Sequence, residues 1–128
     1  MSFRNRVHNC TNPYQGDHKR VLCVCSAGLL RSPTAAVVLS QAPFHHNTRA
    51  VGLSADYALI TLDAVHVLWA QEIVVMTPSQ REEVIDLFGK DHTLPPITVL
   101  GIEDNYGYRD PELMRKISEY YTAAHHTN

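Results

Sequence analysis

The chain has 128 residues, the usual length of one domain with a single hydrophobic core. Apolar residues make up 45% and charged residues 19% of it, a composition that excludes disordered, collagen-like and coiled-coil proteins. The net charge is −2, and the few basic residues near the amino terminus do not form the domain-wide basic face of a nucleic-acid-binding protein. No apolar run approaches the roughly 20 residues of a membrane helix. No apolar signal core opens the chain, so we expect a cytoplasmic protein without a membrane partner.

Short apolar runs then alternate with segments of helical spacing. Residues 1–20 show little periodicity and are expected to form an irregular lead before a single domain over residues 21–128. The apolar runs have the length and composition of buried strands and occupy residues 21–25, 48–53, 73–76 and 97–102.

Four helices are expected between and after these strands. Three are predicted from a capping residue followed by proline, and one from apolar residues at helical spacing. In chain order they are marked by Ser32-Pro33, by Leu62 with Val65 and Trp69, by Thr77-Pro78, and by Asp110-Pro111. The first is expected from about residue 33 to the region of Pro43, and the third opens with a capping box that ends at Gln80.

Connections that contain a helix are too long for hairpins, so the strands should pair in parallel through right-handed crossovers. We therefore predict a three-layer α/β fold, a four-stranded parallel sheet with helices on both faces. In such sheets ligands bind beyond the carboxyl ends of the strands. Cys25 and Asp104 both follow a predicted strand at that edge.

The pattern Cys25-x5-Arg31-Ser32 lies between the first strand and the first helix. A loop in this position turns backbone N–H groups inward at the positive end of a helix dipole and forms a cradle for an anion. The guanidinium of Arg31 matches two phosphate oxygens, and the same field favours the thiolate of Cys25, to which the Ser32 hydroxyl can donate. The alternative is that Cys25 is an inert buried thiol and Arg31 a surface charge.

Residues 21–34 resemble the phosphate-binding loop of low-molecular-weight protein tyrosine phosphatases, in particular the short bacterial and phage-borne branch. The resemblance extends to residues 69–76 and 102–113 and covers about residues 20–122. It implies a flavodoxin-like sheet and hydrolysis of phosphomonoesters through a phosphocysteine, without a metal or other cofactor. It also implies that the backbone of the loop binds the phosphate, which here means Ser26, Ala27, Gly28, Leu29 and Leu30 together with Ser32.

In that family the general acid is an Asp on the loop after the last strand, which here corresponds to Asp104. Asn105 stands where the family usually has Pro, so Asp110 and Glu103 stay open as alternatives. Asp110, however, is already explained as the cap of the last helix.

The resemblance also suggests how the pocket selects its substrate. Leu29, Tyr106 and Tyr108 could line a slot deep enough for a phenyl ring, which would favour phosphotyrosine over phosphoserine. Gly28 and Ala50 replace the Asn and Ser that brace the loop in relatives, so that polar brace is expected to be missing.

The sequence therefore predicts a tyrosine phosphatase that acts on a phosphotyrosine-bearing protein or a small aryl phosphate and releases inorganic phosphate. Two alternatives stay open. A phosphocarrier similar to the IIB proteins of sugar transport would accept phosphate on Cys25 and pass it on, although it would need neither Arg31 nor Asp104. A catalytically silent module would bind phosphotyrosine without turnover.

Overall fold

The structure is a computed structural model that describes residues 18–26, 31–53, 61–90, 92–103 and 107–125. Within these ranges four parallel strands form one sheet with the order β2-β1-β3-β4. They are β1 (Arg20–Cys25), β2 (Asn47–Gly52), β3 (Glu72–Val75) and β4 (Ile97–Val99). The predicted four-stranded parallel sheet is confirmed. The strand order reverses at β1, so the carboxyl end of β1 lies at the switch point where ligands bind in such sheets.

Helices follow each strand. They are α1 (Arg31–Ser40), α2 (Ala64–Trp69), α3 (Pro78–Phe88) and α4 (Pro111–His125). Among the described residues, no helix is both long and apolar enough to cross a membrane.

The two faces of β1 pack into separate hydrophobic cores, whereas the length of the chain predicted a single core; the sheet divides it in two. Val21, Cys23 and Cys25 face α1 and α4, whereas Leu22 and Val24 face α2 and α3. All five are at most 3% exposed, as the uninterrupted apolar run of this strand predicts. The predicted layering, with helices on both faces of the sheet, is therefore confirmed.

The start of α1 differs from the prediction. The helix begins at Arg31, so Ser32 is its second residue and not its cap. The Ser32 hydroxyl donates across to the backbone carbonyl of Val51 in β2, at 3.2 Å. The Ser32 side chain therefore bonds to a residue distant in sequence, whereas the local pattern predicted that it caps α1.

Strand boundaries shift by one to three residues. β1 already begins at Arg20, which pairs with Asn47, so the last residue of the expected lead belongs to the sheet. β4 ends at Val99, three residues early, and Gly101 follows with a positive φ of 76°. This left-handed conformation, which favours glycine, turns the chain while Ile102 still donates to the Met76 carbonyl at 2.9 Å.

The expected capping box at α3 is present. The Thr77 side chain accepts from the Gln80 backbone, and the Gln80 side chain accepts in return from the Thr77 backbone. A second capping box, between Asp63 and His66, opens α2. The sequence pattern did not identify it because His is not among the usual partners of such a box.

Candidate active site

Cys25 and Arg31 lie at the two ends of the predicted phosphate-binding loop. Cys25 is the last residue of β1 and Arg31 the first of α1, and they are 3% and 4% exposed. Both are therefore held at the carboxyl edge of the sheet, beside the amino terminus of a buried helix. The loop positions Ala27, Gly28, Leu29 and Leu30 lie outside the described residues.

The thiol of Cys25 is in contact with the hydroxyl of Ser32. The Cys25 Sγ donates to the Ser32 Oγ at 3.2 Å, and the Ser32 Oγ donates onward to the Val51 carbonyl at 3.2 Å. The two side chains meet as expected, but with the thiol as donor. A thiolate can only accept, so the contact persists after ionisation of Cys25 only if the hydroxyl proton turns from Val51 to the sulfur.

Arg31 is buried and bonded, which contradicts the alternative of a surface charge. Its Nη1 donates to the backbone carbonyl of Ile102 at 2.8 Å. Burying a cation without partners would cost several kcal/mol, of order 3–5 when one partner of a buried pair is lost. This bond ties the start of α1 to the segment that leaves β4, which is the segment that leads to the candidate acid.

The candidate acid Asp104 and the pocket residue Tyr106 lie outside the described residues, but both flanks of this segment are described. Ile102 is 2% exposed and bonded to Arg31. On the other flank the backbone N–H of Arg109 donates to the Thr34 hydroxyl at 2.8 Å. Both flanks are thus attached to the first turn of α1, next to the end of β1.

The two alternative acids have other surroundings. The Oδ1 of Asp110 accepts from the backbone N–H of Glu112 at 2.8 Å, the bond of a helix cap. Glu103 is exposed. Tyr108 lies in a turn and is 52% exposed. Its role in the pocket stays a prediction.

One polar contact of the loop was not predicted. The Nε2 of Gln80, in the first turn of α3, donates to the Ser26 hydroxyl at 3.2 Å. The sequence identified Gln80 only as a capping residue. A contact between residues 54 positions apart leaves no local signal in the pattern.

Of the two positions where we expect a polar brace to be missing, only Ala50 is described. Ala50 in β2 is fully buried beside Cys23. Gly28 lies outside the described residues. In the part of the chain that the structure describes, no three His, Cys, Asp or Glu side chains form a cluster suited to a metal ion.

Together these contacts define an α/β protein with a buried cysteine and arginine at the switch point of a parallel sheet. No protein-family model and no curated protein matches the chain. Solved structures do match it. The YwlE arginine phosphatase of Geobacillus stearothermophilus is 21% identical with a TM-score of 0.59, over 86% of this chain and 99% of that one.

The tyrosine phosphatase AmsI of Erwinia amylovora is 18% identical with a TM-score of 0.62, over 89% of this chain and 94% of that one. A mutant of YwlE from Bacillus subtilis is 16% identical with a TM-score of 0.56, over 83% of this chain and 93% of that one. Likeness at these identities shows the fold, and it is the fold that the resemblance to low-molecular-weight phosphatases implied.

Proposed function

We propose that the protein is a cysteine-dependent phosphomonoester hydrolase that acts on aryl phosphates of the phosphotyrosine type. The observation that carries the proposal is the Cys25 Sγ at 3.2 Å from the Ser32 Oγ, beside a buried Arg31 at the amino terminus of α1. A nucleophile, a donor for its anion and a fixed cation are the parts that phosphoryl transfer to sulfur needs.

In the first step the backbone amides of residues 26–31 and Arg31 hold the phosphoryl group while the Cys25 thiolate attacks phosphorus in line. The S–P bond forms and the ester P–O bond breaks. Asp104 gives its proton to the departing phenolate oxygen. The products are a phosphocysteine and a phenol.

In the second step the Asp104 carboxylate takes a proton from water, whose oxygen attacks phosphorus. The S–P bond breaks, inorganic phosphate leaves and the Cys25 thiolate returns. The Ser32 hydroxyl acts at this point. Its proton turns from the Val51 carbonyl to the sulfur and stabilises the negative charge that accumulates there.

The assignment of Asp104 as the acid is supported by its neighbours. The segment from Ile102 to Arg109 is attached at both ends to the first turn of α1, through Arg31 and Thr34. The segment that carries Asp104 therefore starts and ends beside α1, whose first residue lies near the end of β1 that carries Cys25. Asp110 is less suited, because its carboxylate already accepts from the backbone of α4.

The proposed substrate is a phosphotyrosine-bearing protein or a small aryl phosphate, bound in a slot lined by Leu29, Tyr106 and Tyr108. AmsI is a tyrosine phosphatase and YwlE an arginine phosphatase, so the same fold carries both activities. We also propose a cytoplasmic location, because a nucleophilic thiol needs a reducing compartment and neither Cys23 nor Cys25 is in a disulfide.

Turnover of para-nitrophenyl phosphate tests the proposal, with release of inorganic phosphate as the readout. Cys25→Ser should abolish turnover, and vanadate should inhibit the native protein. Cys23→Ala is the matched control, since Cys23 is also a buried thiol on the same face of β1. It should retain turnover within about twofold, because a core thiol acts as a small apolar group.

Three results would contradict the proposal. Normal turnover by the Cys25→Ser protein would remove the nucleophile from the mechanism. A stable phosphocysteine with no catalytic release of phosphate would favour the phosphocarrier, and binding of a phosphotyrosine peptide without either product would favour the silent module. Phosphoarginine offered in parallel determines whether the slot prefers the aryl ester.

A further inference from the structure

The side-chain amide of Gln80 joins three parts of the candidate site. Its Oε1 accepts from the backbone N–H of Met76 at 2.8 Å and from that of Thr77 at 3.3 Å. Its Nε2 donates to the Ser26 hydroxyl at 3.2 Å. Gln80 is only 3% exposed, so its amide bonds to protein groups and is largely shielded from water.

These partners fix which way the amide points. The opposite orientation would set the NH2 group against two backbone N–H donors, leaving all three donors unsatisfied in a buried site. Nε2 therefore faces Ser26. Because Nε2 can only donate, the Ser26 oxygen must accept, and the hydroxyl proton of Ser26 is turned toward some other acceptor.

Ser26 directly follows the nucleophile and is an exposed residue. We propose that Gln80 is a positioning residue for oxyanion binding, which anchors the first residue of the loop and keeps the Ser26 hydroxyl proton directed at a phosphate oxygen. This inference rests on the proposed function in so far as the anion is the phosphoryl group of a substrate.

The capping role of Gln80 can be separated from this one. Thr77 forms the other half of the same capping box, since its Oγ1 accepts from the Gln80 backbone at 3.3 Å. Among the described residues the Thr77 hydroxyl bonds to Ser79 and Gln80, and the contact with Ser26 is made by Gln80. Loss of the Thr77 hydroxyl therefore weakens the start of α3 without removing the contact to the loop.

The test compares Gln80→Met, Gln80→Glu, Ser26→Ala and the control Thr77→Ala. The first readout is the protection that vanadate gives Cys25 against alkylation by iodoacetamide, and the second is kcat and KM for para-nitrophenyl phosphate. We expect Gln80→Met to weaken vanadate binding and kcat/KM about tenfold, the weight of one hydrogen bond to a charged group. Thr77→Ala should change both less than twofold at a comparable loss of thermal stability.

Two further variants separate positioning from folding. Gln80→Glu keeps the oxygen that accepts from Met76 and Thr77, so the protein should stay folded. Its second oxygen would accept the Ser26 proton and withdraw it from the anion, so vanadate binding should still fall about tenfold. In the Ser26→Ala background, Gln80→Met should add less than a twofold further loss, because the residue through which it acts is gone.

Equal protection by vanadate in Gln80→Met and Thr77→Ala would overturn the inference, as would full additivity with Ser26→Ala. A native protein that vanadate protects but that releases no phosphate would overturn the proposed function alone, and the protection assay would still decide the role of Gln80. A native Cys25 that vanadate does not protect would overturn both.

Discussion

Arg31 is the residue whose identity the structure explains most directly. The residue is buried, and its Nη1 donates a hydrogen bond to the Ile102 carbonyl. A planar guanidinium carries several donors, so it can hold this carbonyl with one nitrogen and face an anion with another. The compact ammonium of Lys lacks this fork. The positive charge and the arrangement of donors are therefore separate requirements at this position.

Arg31→Lys should lower kcat/KM for para-nitrophenyl phosphate at least about a hundredfold, because a fixed donor to the transition-state anion is lost while the charge stays. Steady-state kinetics at constant fold, checked by circular dichroism, measures the effect. Arg20→Lys is the matched control. Arg20 Nε also donates to a backbone carbonyl, that of Trp69, at 2.6 Å and at the opposite end of β1. Comparable losses in the two variants would contradict a specific role for Arg31.

At the scale of residues, the sequence identified the cysteine, arginine and serine of the motif because they follow one another at a fixed local spacing. It could not find the Gln80 contact to Ser26 or the acceptor that Ile102 offers to Arg31. These pairs are 54 and 71 positions apart, and neither has a pattern of residue types that requires the contact. Only the path of the chain brings them together.

At the scale of elements, the last helix begins at Pro111 with Asp110 as its cap, and this end of the helix bears on the choice of the acid. The Asp110 Oδ1 accepts from Glu112 at 2.8 Å, and its backbone carbonyl accepts from Met114 at 2.9 Å. A carboxylate used in this way stabilises the helix and its dipole. The cap and the general acid are thus expected to be different residues.

Asp110→Asn should keep both stability and turnover, because the amide oxygen can still cap the helix. Asp110→Ala should lower the free energy of unfolding by about 1 kcal/mol and leave kcat within about twofold. Asp104→Ala should do the reverse, with unchanged stability and a kcat lower by about a hundredfold or more for a substrate with a poor leaving group. Urea unfolding and kinetics on phenyl phosphate measure the two effects. A large loss of kcat in Asp110→Asn would transfer the acid to that residue.

Elements were predictable where one local signal determined them. The buried run of β1 and the Thr77 capping box both appear at the expected places. Boundaries were less predictable where tertiary contacts decide. Ser32 serves Val51 and Cys25 instead of capping α1, and β4 stops early because the chain turns at Gly101.

At the scale of the whole molecule, the two edges of the sheet carry different polar clusters. The carboxyl edge holds Cys25 and Arg31. At the amino edge Glu72, the first residue of β3, is 1% exposed and accepts from Lys19 Nζ at 2.9 Å and Tyr121 OH at 2.7 Å. His125 Nε2 lies 2.8 Å from the same carboxylate. This cluster attaches the end of α4 to the sheet, far along β1 and β3 from the candidate site.

No sequence pattern indicates this cluster. A glutamate beside an apolar run predicts the exposed end of a strand, because Glu is almost never fully buried unless it is paired. Its partners come from the segment before β1, from β4 and from α4. Their convergence depends on the strand order, which places β1 and β4 on either side of β3.

The charge states in this cluster make stability depend on pH. Burial alone would raise the pKa of Glu72, but hydrogen bonds from Thr98, Tyr121 and Lys19 outweigh it and hold the pKa below its usual value of 4.5. Burial first, and then Glu72, raise the pKa of the Tyr121 hydroxyl, which therefore stays a donor. A carboxyl with a lowered pKa stabilises the fold fully above its unfolded pKa, and the contribution is lost as pH falls through the folded value.

Glu72→Gln should therefore lower the free energy of unfolding at pH 7 by about 2 kcal/mol, the weight of hydrogen bonds to a buried charge. The deficit should begin to shrink below pH 4.5, where the carboxyl of the unfolded chain takes up a proton, and should shrink further as pH falls through the lower pKa of the folded protein. Urea unfolding from pH 7 to pH 3 measures it. The control is Glu119→Gln, which removes an exposed carboxylate paired with Arg115 on α4 and should change stability by less than about 0.5 kcal/mol.

Because Glu72 lies at the opposite edge from Cys25, the Glu72→Gln protein should keep kcat within about twofold while it is folded. A constant deficit at every pH would contradict the charged state of Glu72, and a large loss of kcat would contradict the separation of the two edges.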